Sequence, residues 1–334
     1  MGLRIPRGAG FEAGCVIPEL RGVNVAVLYG GISAEREVSL ISGERMCEAL
    51  VKSGVDVTPV DVDLNFDAEY VRMLGVDMAC IALHGEFGED GQVQAILEEA
   101  GIPYTGSDAA SSRLAMDKYA AKRAYYSAGL SIPADRMIST KAGFYPEALD
   151  GLHFPVVVKP SDSGSSLGVF ICETMKDVAA AIDAQSPLVS SVLIEEFVHG
   201  REFTISVLGD HALEPIEIQT KRQFYDFNAK YNDNDTRYLL PAPITPFQKR
   251  LLQRSAEVAH TSLGCRDVSR TDIILSFDGT PFVLETNTIP GMTTHSLLPM
   301  AASVAGLEFH ELVAALAIRA WERGVQELPL REAV

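Results

Sequence analysis

The segment between Cys265 and Thr293 constrains the fold more than any other part of the chain. Two runs of strand-forming residues flank the pair Asp278-Gly279. Such a pair between two strand-like runs is a strong signal for a β-hairpin with a two-residue turn. A turn of that length fixes which residues of the two strands face each other. The expected facing pairs are Phe277 with Thr280, Ile274 with Val283, Asp272 with Glu285, and Arg270 with Asn287.

Four polar residues of this hairpin are expected on one surface, because side chains two residues apart on a strand share a face. They are Arg270, Asp272, Glu285 and Asn287. Two carboxylates that face each other repel, so we expect a positive charge close to them. Two carboxylates and an amide oxygen are hard oxygen ligands of the kind that hold Mg²⁺ against substrate phosphates. The alternative is a solvent-facing hairpin with scattered polar residues.

The amino-acid composition limits which kinds of molecule this protein is expected to bind. The 334 residues include 28 Lys and Arg against 45 Asp and Glu, and the net charge of −17 argues against nucleic acid or an anionic membrane as a partner. The five cysteines, at positions 15, 47, 80, 172 and 265, are far apart. Their spacing is typical of proteins in a reducing cytosol, and it indicates neither a disulfide framework nor a zinc site. No apolar run approaches about 18 residues, so we expect no membrane span.

Strand and helix signals alternate over 22–110, which predicts a parallel α/β domain. The strand-like segments are 23–29, 55–62 and 78–83, and the helical segments are 35–53 and 92–99. In the first helix, Val38, Ile41 and Met46 are expected to face inward. Residues 1–21 lack the apolar centre of a signal peptide and are expected to form a loosely ordered extension.

The pattern of the remaining residues, 111–334, predicts α+β structure. Residues 111–208 are expected to contain antiparallel hairpins, and 209–334 contains the hairpin described above. The stretch 219–243 is long and polar without a clear period, which favours a functional loop or a disordered segment. A closing helix is expected over 307–324. Helix caps are expected at Ser111 or Ser112, at Thr174 and at Thr245, the last two within capping boxes.

Two segments of the middle region could hold a nucleotide. The loop 159–168 is rich in glycine and serine, so backbone N–H groups could approach phosphate oxygens, and Lys159 adds a positive charge. A flexible hairpin loop is an equally good interpretation, because the Walker spacing is absent. The strand edge Glu195–Val198 could offer backbone groups and an acid to an adenine, and Glu202 could contact a ribose. Ordinary exposed acids on strands explain the same pattern.

Further positions also have a functional and a structural interpretation. Glu35 opens the first helix, where an acid either complements the helix dipole or binds a substrate ammonium. His84 follows a strand at the edge where α/β sheets place ligands, although a lone histidine is more often structural. Lys230 and Tyr231 lie in the long polar stretch, which is either a lid that closes on phosphate or a surface loop. The segment Gly291–Leu297 either holds a carboxylate at a helix N-terminus or simply caps a helix.

These signals occur in one order along the chain, and together they resemble the D-alanine–D-alanine ligases of the ATP-grasp superfamily. The motifs that carry the resemblance are LYGGISAEREVSLISG, IALHGEFGEDG, YTGSDAASSRLAMDK, VVVKPSDSGSSLGV, FYDFNAKY and SRTDIILSFDGTPFVLETNTIPGMTTHSLLP. They extend from Leu28 to Pro299. The first and last are specific to this family rather than to ATP-grasp enzymes in general.

The resemblance implies an ATP-grasp fold: an N-terminal parallel α/β domain (22–110) and two α+β domains (111–208 and 209–334) that clasp ATP. It implies that two Mg²⁺ ions bind, for which Mn²⁺ could substitute. The implied phosphate-binding residues are Lys118, Lys159, Ser165 and Lys230; those around adenine and ribose are Glu195, Glu196, Val198 and Glu202; the metal ligands are Asp272, Glu285 and Asn287. Glu196 stands where members often carry lysine, so a backbone role is expected there.

The implied reaction joins two D-alanines through an acyl phosphate, giving ADP and phosphate, for peptidoglycan synthesis. The implied substrate residues are Glu35 near His84 for the first ammonium, Ser165 and Tyr231 hydrogen-bonded to Glu35, Arg270 and the Gly291 N–H for the oxyanion, and Ser296 with the Leu297 backbone for the second carboxylate. Tyr231 favours the dipeptide over an ester with D-lactate. The alternatives are a different second substrate, such as D-serine or D-lactate, and a non-catalytic nucleotide-binding protein. The family further implies a cytoplasmic homodimer.

Overall fold

The computed structural model describes residues 17–141, 144–161, 168–220 and 236–331. Over these ranges, three β-sheets with packed helices follow one another along the chain. Ser165, Lys230, Tyr231 and most of the expected N-terminal extension lie outside the described residues. The end of that extension is packed rather than loose, because Ile17 and Leu20 are buried in the N-terminal core.

The first sheet is parallel, as the alternation of strand and helix signals predicted. Its strands lie in the order β2-β1-β3. The strands are β1 Asn24–Gly30, β2 Asp56–Val62 and β3 Met78–Ile81; the helices are α1 Arg36–Lys52, α2 Ala68–Met73 and α3 Gln92–Ala100. All four residues of β3 are buried, as are most of those of β1, which is typical of parallel strands covered on both faces. The segment that follows β3 therefore leaves the sheet at the edge where such sheets bind ligands.

Helix α1 packs on β1 through a face of small residues. Its buried positions are Ser39, Ser42, Gly43, Met46, Ala49 and Leu50. A Cβ atom on Gly43 would lie 2.3 Å from Cβ of Tyr29, so only glycine allows this approach of helix to strand. Met46 faces inward as predicted and Val38 is half-buried. The prediction was wrong for Ile41, which is half exposed, because the close approach selects small side chains.

The second sheet is antiparallel, with strands in the order β4-β7-β5-β6. Its strands are β4 Asp135–Ser139, β5 Val156–Pro160, β6 Phe170–Cys172 and β7 Ser191–Glu196; the helices before and beside it are α4 Ala109–Met116, α5 Lys118–Ser127 and α6 Met175–Gln185. The capping box at Thr174 is confirmed. The cap expected at Ser111 or Ser112 was wrong. Asp108 caps α4 and Asp117 caps a separate helix α5, because each carboxylate accepts a backbone N–H of the following turn.

The third sheet is also antiparallel and carries the hairpin. Its strands lie in the order β11-β10-β8-β12-β13, with β9 beside β8. The strands are β8 Gly200–Leu208, β9 His211–Ala212, β10 Ile216–Gln219, β11 Arg237–Leu239, β12 Val268–Ser276 and β13 Pro281–Asn287. The boundary expected at 208 falls at the end of β8, a strand of this third sheet, so the predicted division into domains stays a prediction.

The hairpin register is right at the polar positions and wrong near the turn. Arg270 faces Asn287 and Asp272 faces Glu285, as predicted. The loop contains three residues, 277–279, because Ser276 pairs with Thr280 and Gly279 takes a positive φ of 91°. Phe277 therefore does not pair with Thr280.

A β-bulge at Leu284 restores the predicted register. Ile273 faces Val283 and Ile274 faces Phe282, whereas Asp272 faces Glu285, so one extra residue lies in β13. The prediction that Ile274 faces Val283 was therefore wrong. The bulge turns Val283 into the core while Glu285 lies on the opposite face with Asp272, although residues two apart normally share a face.

Three helices complete the C-terminal part: α7 Pro246–Ser262, α8 Leu297–Val304 and α9 Phe309–Arg331. The capping box at Thr245 is confirmed. The closing helix α9 packs against the first sheet, since Leu312 and Leu316 share a core with Val25 and Met78. Within the described ranges, no single helix has the length and apolar content to cross a membrane; the bent pair Leu297–Val304 and Phe309–Gln326 meets that test by length and composition only.

A buried ionic contact joins the first and third sheets to α9. Asp267, which is 1% exposed, accepts two hydrogen bonds from Arg323, at 2.8 and 2.9 Å, and another from the backbone N–H of Gly106. Arg323 also donates to the carbonyl oxygen of Tyr104. The carboxylate thus holds the segment around Gly106, α9 and the start of β12 together at one place.

Stability should fall in acid partly through His260. This residue is buried against Ser269, and desolvation lowers its pKa to about 4, although Asp210 and Asp267 act in the opposite direction. An unfolded histidine has a pKa of about 6.5, so this contribution is complete above pH 6.5 and is lost as the pH falls towards 4, by roughly 3 kcal/mol.

We expect His260→Gln to reduce the fall in melting temperature between pH 6.5 and 4.5, measured by differential scanning fluorimetry. The matched control is His211→Gln at an exposed histidine, which should keep the wild-type dependence. An unchanged pH dependence in His260→Gln would contradict the assignment.

Candidate active site

The hairpin presents Asp272 already engaged by two donors. Arg270 donates from Nε to Oδ1 and from Nη2 to Oδ2, each at 3.2 Å. Thr204, which faces Asp272 across β8, donates from its hydroxyl to Oδ1 at 2.6 Å. The side chain of Asp272 is buried, so these donors supply hydrogen bonds that water would otherwise provide.

Glu285, the facing carboxylate, has a cationic neighbour from another element. The ammonium of Lys118, the first residue of α5, lies 3.5 Å from Glu285 Oε2. The backbone N–H of Lys118 donates to the carbonyl oxygen of Ser161, at the start of the glycine- and serine-rich loop. Asn287 lies next along the hairpin, and its Oδ1 accepts the N–H of Ile289 at 2.8 Å. The expected positive charge near the two carboxylates is therefore provided by Arg270 and Lys118.

Glu195 lies between two lysines in the interior. Its Oε2 is 2.5 Å from the ammonium of Lys159, and its Oε1 is paired with Lys122. Burial raises the pKa of Glu195, and the two lysines more than offset this, so its pKa lies below the ordinary value. Burial lowers the pKa of Lys159, but Glu195 and Glu285 reverse the effect and raise it. Glu195 and Lys159 are therefore held charged although they are buried. Burial lowers the pKa of Lys122, and Glu195 opposes that shift.

The other residues expected around the adenine lie along the connection from β7 to β8. Val198 is half-buried between the two strands. Glu202 shares a face of β8 with Thr204 and so points to the side that carries Asp272. The carboxylate of Glu196 accepts from the backbone N–H of His153 at 2.8 Å and from its ring at 2.7 Å. The Glu196 side chain is thereby held against His153, and its backbone N–H donates to the carbonyl oxygen of Ala134 at 2.9 Å.

The N-terminal part of the chain contributes a compact group of polar residues. Glu35 is buried at the N-terminus of α1, and its carboxylate approaches Gly85, where a Cβ would lie 2.8 Å from Oε2. His84 lies 3.4 Å from Glu89 through Nδ1. Burial raises the pKa of Glu89, while His84 and Arg270 oppose the shift and Glu35 adds to it. These mutual effects place the group beside the hairpin site.

A hydrogen-bonded chain connects this group to the segment after β13. The hydroxyl of Ser42 lies 3.2 Å from His84 Nε2 and accepts the backbone N–H of Met292 at 3.3 Å. Arg45 donates to the carbonyl oxygen of Met292. Residues of α1 therefore fix the position of the loop that contains Gly291.

The loop 291–296 is closed on itself before α8 begins. The hydroxyl of Ser296 accepts the backbone N–H of Thr293 at 2.9 Å and lies 2.9 Å from the Thr293 hydroxyl. A Cβ on Gly291 would lie 2.7 Å from the Ser296 hydroxyl, so a larger residue at position 291 would displace this hydroxyl. Leu297 is buried as the first residue of α8. A helix N-terminus thus stands beside the Gly291 backbone, as the sequence pattern indicated.

Three residues of the site lacked a sequence signal of their own: Glu89, Lys122 and Thr204. Each acts on a predicted residue, namely His84, Glu195 and Asp272 in turn. The only available hint was spacing, since Lys122 lies one helical turn after Lys118 and Glu89 lies in the same polar segment as His84.

The residues present fit a divalent cation with hard oxygen ligands. Among the described residues, no cluster of three or more His, Cys, Asp or Glu is placed to hold a metal. The donor set of the hairpin instead consists of two facing carboxylates and the amide of Asn287. Such a set, with cationic side chains close by, is suited to phosphate chemistry, in which negative charge must be offset at one place.

Two family models match the chain. One, described as D-ala D-ala ligase C-terminus, matches residues 132–318, and the other, described as D-ala D-ala ligase N-terminus, matches residues 65–107.

Individual proteins are similar over most of the chain. The D-alanine–D-alanine ligase of Nitrosospira multiformis is 46% identical over 290 residues, which covers 86% of this chain and 94% of that protein. The crystal structure of the D-alanine–D-alanine ligase of Bacillus anthracis complexed with ATP superposes with a TM-score of 0.80 at 33% identity, covering 91% and 98% of the two chains. The VanG D-Ala:D-Ser ligase of Enterococcus faecalis has a TM-score of 0.79 at 28% identity, covering 90% and 99%.

Glu89 should make the stability of the protein depend on pH. Because burial raises its folded-state pKa above the unfolded value, its contribution to stability is present at low pH and is lost as the pH rises through the folded-state pKa. Glu89→Gln removes the charge, so the melting temperature of this variant relative to wild type should be higher at pH 8 than at pH 4.5.

Differential scanning fluorimetry over this pH range tests the prediction, with Glu86→Gln at the exposed neighbouring acid as control. A difference between variant and wild type that is the same at both pH values would contradict it.

Proposed function

The chain belongs to the D-alanine–D-alanine ligase family, and we propose that it joins two D-alanine molecules into D-alanyl-D-alanine while ATP becomes ADP and phosphate. The dipeptide then serves the synthesis of peptidoglycan precursors. The observation that carries the proposal is the meeting of two facing carboxylates, Asp272 and Glu285, with the cations of Arg270 and Lys118 beside the polar group of the N-terminal domain.

ATP is the nucleotide, as in the structurally similar Bacillus anthracis enzyme. Lys118 and Lys159 would contact its phosphates, and their placement near the start of the glycine- and serine-rich loop supports this role. The backbone of Glu196 and Val198, with the side chains of Glu195 and Glu202, would surround the adenine and ribose. Ser165 and Lys230 would complete the phosphate contacts.

Asp272, Glu285 and Asn287 would hold Mg²⁺. Bound there, Mg²⁺ would supply positive charge that offsets the charge on the transferring phosphoryl group. The number of ions, and whether Mn²⁺ can substitute, stay predictions.

The first half of the reaction activates a carboxylate. Glu35 would bind the ammonium of the first D-alanine, next to His84, and Ser165 and Tyr231 would hold Glu35 through hydrogen bonds. The D-alanine carboxylate oxygen then attacks the γ-phosphorus of ATP, the bond to the β-phosphate oxygen breaks, and an acyl phosphate and ADP result. Exclusion of water from this site would protect the acyl phosphate from hydrolysis.

The second half forms the peptide bond. Ser296 and the N-terminus of α8 at Leu297 would bind the carboxylate of the second D-alanine. Its neutral amine attacks the carbonyl carbon of the acyl phosphate. Arg270 and the backbone N–H of Gly291 would stabilise the tetrahedral oxyanion, whose collapse releases phosphate and the dipeptide.

A different second substrate is the alternative within the same chemistry. The structural similarity to a D-Ala:D-Ser ligase supports this alternative. The sequence identity to that ligase, 28%, is lower than the 46% identity to the Nitrosospira D-alanine–D-alanine ligase. The homodimer and the cytoplasmic location stay predictions of the family resemblance.

Product analysis tests the proposed reaction. The purified protein should convert D-alanine with ATP and Mg²⁺ into D-alanyl-D-alanine and an equal amount of phosphate, measured by mass spectrometry and a phosphate assay. D-Serine, D-lactate and L-alanine serve as competitors, and omission of ATP is the control. A mixed product would move the assignment to another second substrate. Folded protein that forms no product and no phosphate would contradict the proposed function.

Glu285→Gln should lower kcat by on the order of 100-fold, the scale of losing one charged contact to a transition state. The melting temperature should change little, because the amide also removes repulsion from Asp272. Asp278→Asn, in the exposed turn of the same hairpin, is the matched control and should leave kcat unchanged. Wild-type turnover in Glu285→Gln would contradict the assignment of Glu285 as a metal ligand.

A further inference from the structure

Two residues of the proposed nucleotide site, Glu195 and Lys159, form a buried ionic group with Lys122. Lys122 is 0% exposed, Glu195 is 2% exposed and Lys159 is 8% exposed. The Glu195 carboxylate uses one oxygen for each lysine, Oε1 for Lys122 and Oε2 for Lys159. The three residues come from three different elements, α5, β7 and β5, so the arrangement depends on how these elements pack.

The two lysines differ in what else they can reach. Lys159 also lies within electrostatic range of Glu285, on the side of the proposed phosphate site. Among the described residues, Lys122 Nζ and Glu195 Oε1 have no further hydrogen-bond partner. Lys122 is thus enclosed with one carboxylate oxygen and cannot contact a substrate. Lys159 instead lies between two carboxylates: Glu195 in the interior and Glu285 on the side of the proposed phosphate site.

Lys122 is placed there by the geometry of α5. Lys118 and Lys122 are four residues apart and so lie on one face of the helix, which Ala121 and Tyr125 extend into the core beside the third sheet. Lys118 meets Glu285 of the third sheet, and Lys122 meets Glu195 of the second. One helix face therefore supplies a cation to each sheet.

Burial makes the number of cations around Glu195 important. If Glu195 had Lys159 as its only partner, movement of that ammonium to a phosphate would leave a carboxylate both buried and unpaired, which is strongly unfavourable. The other charges near Glu195 do not replace a partner, because Asp135 repels it and Arg123 is bound to Asp135.

We propose that Lys122 is a positioning residue for ATP: it is the fixed counter-ion of Glu195, and it allows the ammonium of Lys159 to turn from Glu195 to a nucleotide phosphate. Lys122 never touches the nucleotide. It keeps Glu195 ionised and in place throughout the exchange, and its effect on ATP binding acts entirely through the charge of Glu195. The inference rests on the proposed nucleotide site.

A double-mutant cycle tests this dependence on charge. The four proteins are wild type, Lys122→Met, Glu195→Gln and the combined variant, and the probe is the non-hydrolysable nucleotide AMP-PNP with Mg²⁺, titrated by calorimetry without D-alanine. Lys122→Met should weaken binding at least about tenfold in the wild-type background. In the Glu195→Gln background, the same substitution should change the dissociation constant by less than about twofold, because no buried carboxylate remains to be compensated.

Steady-state kinetics give a second readout that loss of packing alone would not reproduce. Lys122→Met should raise KM for ATP while kcat at saturating ATP and KM for D-alanine stay within about threefold of wild type. Arg123→Met is the matched control, since Arg123 lies next to Lys122 on α5 but pairs with Asp135, and its nucleotide affinity should be that of wild type. If Lys122→Met does not fold, Lys122→Gln takes its place in the cycle.

The outcomes separate this inference from the proposed function. Wild-type protein that does not bind AMP-PNP would overturn the nucleotide site itself. Binding by wild type, with the same effect of Lys122→Met in both backgrounds or no effect in either, would overturn the role of Lys122 alone. A tenfold effect confined to the background with Glu195 would confirm it.

Discussion

The pairing of buried carboxylates with cations is the interaction on which the site depends. A carboxylate removed from water is costly unless an opposite charge and hydrogen bonds replace the lost hydration. Asp272 is held by Arg270, Glu285 lies beside Lys118, and Glu195 is shared by two lysines. The cations that would bind phosphates and oxyanions are therefore already engaged with protein carboxylates. When a phosphorylated substrate binds at such a site, each cation exchanges a protein carboxylate for a phosphate. The free energy of binding therefore depends on which other groups compensate the charge of the released carboxylate.

The fold brings these charges together through a few contacts between distant parts of the chain. Asp267 binds Arg323 of the last helix and the N–H of Gly106, and Ser42 of the first helix accepts the N–H of Met292. These contacts fix the first sheet and α1 against the third sheet and the segment after it at two separate places. The polar group around His84 is thereby held close to the hairpin, close enough for Arg270 to influence the pKa of Glu89. The site is thus assembled from residues of the first and third sheets and the segments that adjoin them, rather than from one sheet.

The hairpin shows how far local sequence signals reach. The facing pair Asp272 and Glu285 was predicted correctly, but from a two-residue turn that the structure does not have. The loop is one residue longer, and a bulge at Leu284 adds a compensating residue to β13, so the two departures cancel at the polar positions. The turn pair Asp278-Gly279 was visible in the sequence. The bulge was not, because it depends on packing: Val283 must enter the core while Glu285, two residues later, must face Asp272.

The same distinction explains which residues of the site were predicted. Glu35, Lys118, Lys159 and Asp272 lie in motifs with a recognisable order along the chain, and the resemblance that they carry gave the fold and the reaction. Lys122 lies in the same helical motif as Lys118, yet a lysine at that spacing is more often solvent-exposed. Lys122 differs because α5 contacts two sheets at once. Lys118 pairs with Glu285 of the third sheet, and Lys122, one helical turn later, pairs with Glu195 of the second sheet. That contact is a property of the tertiary structure. A sequence specifies which side chains can carry charge, but only the packing of elements decides which of those charges are buried together and must therefore act as a group.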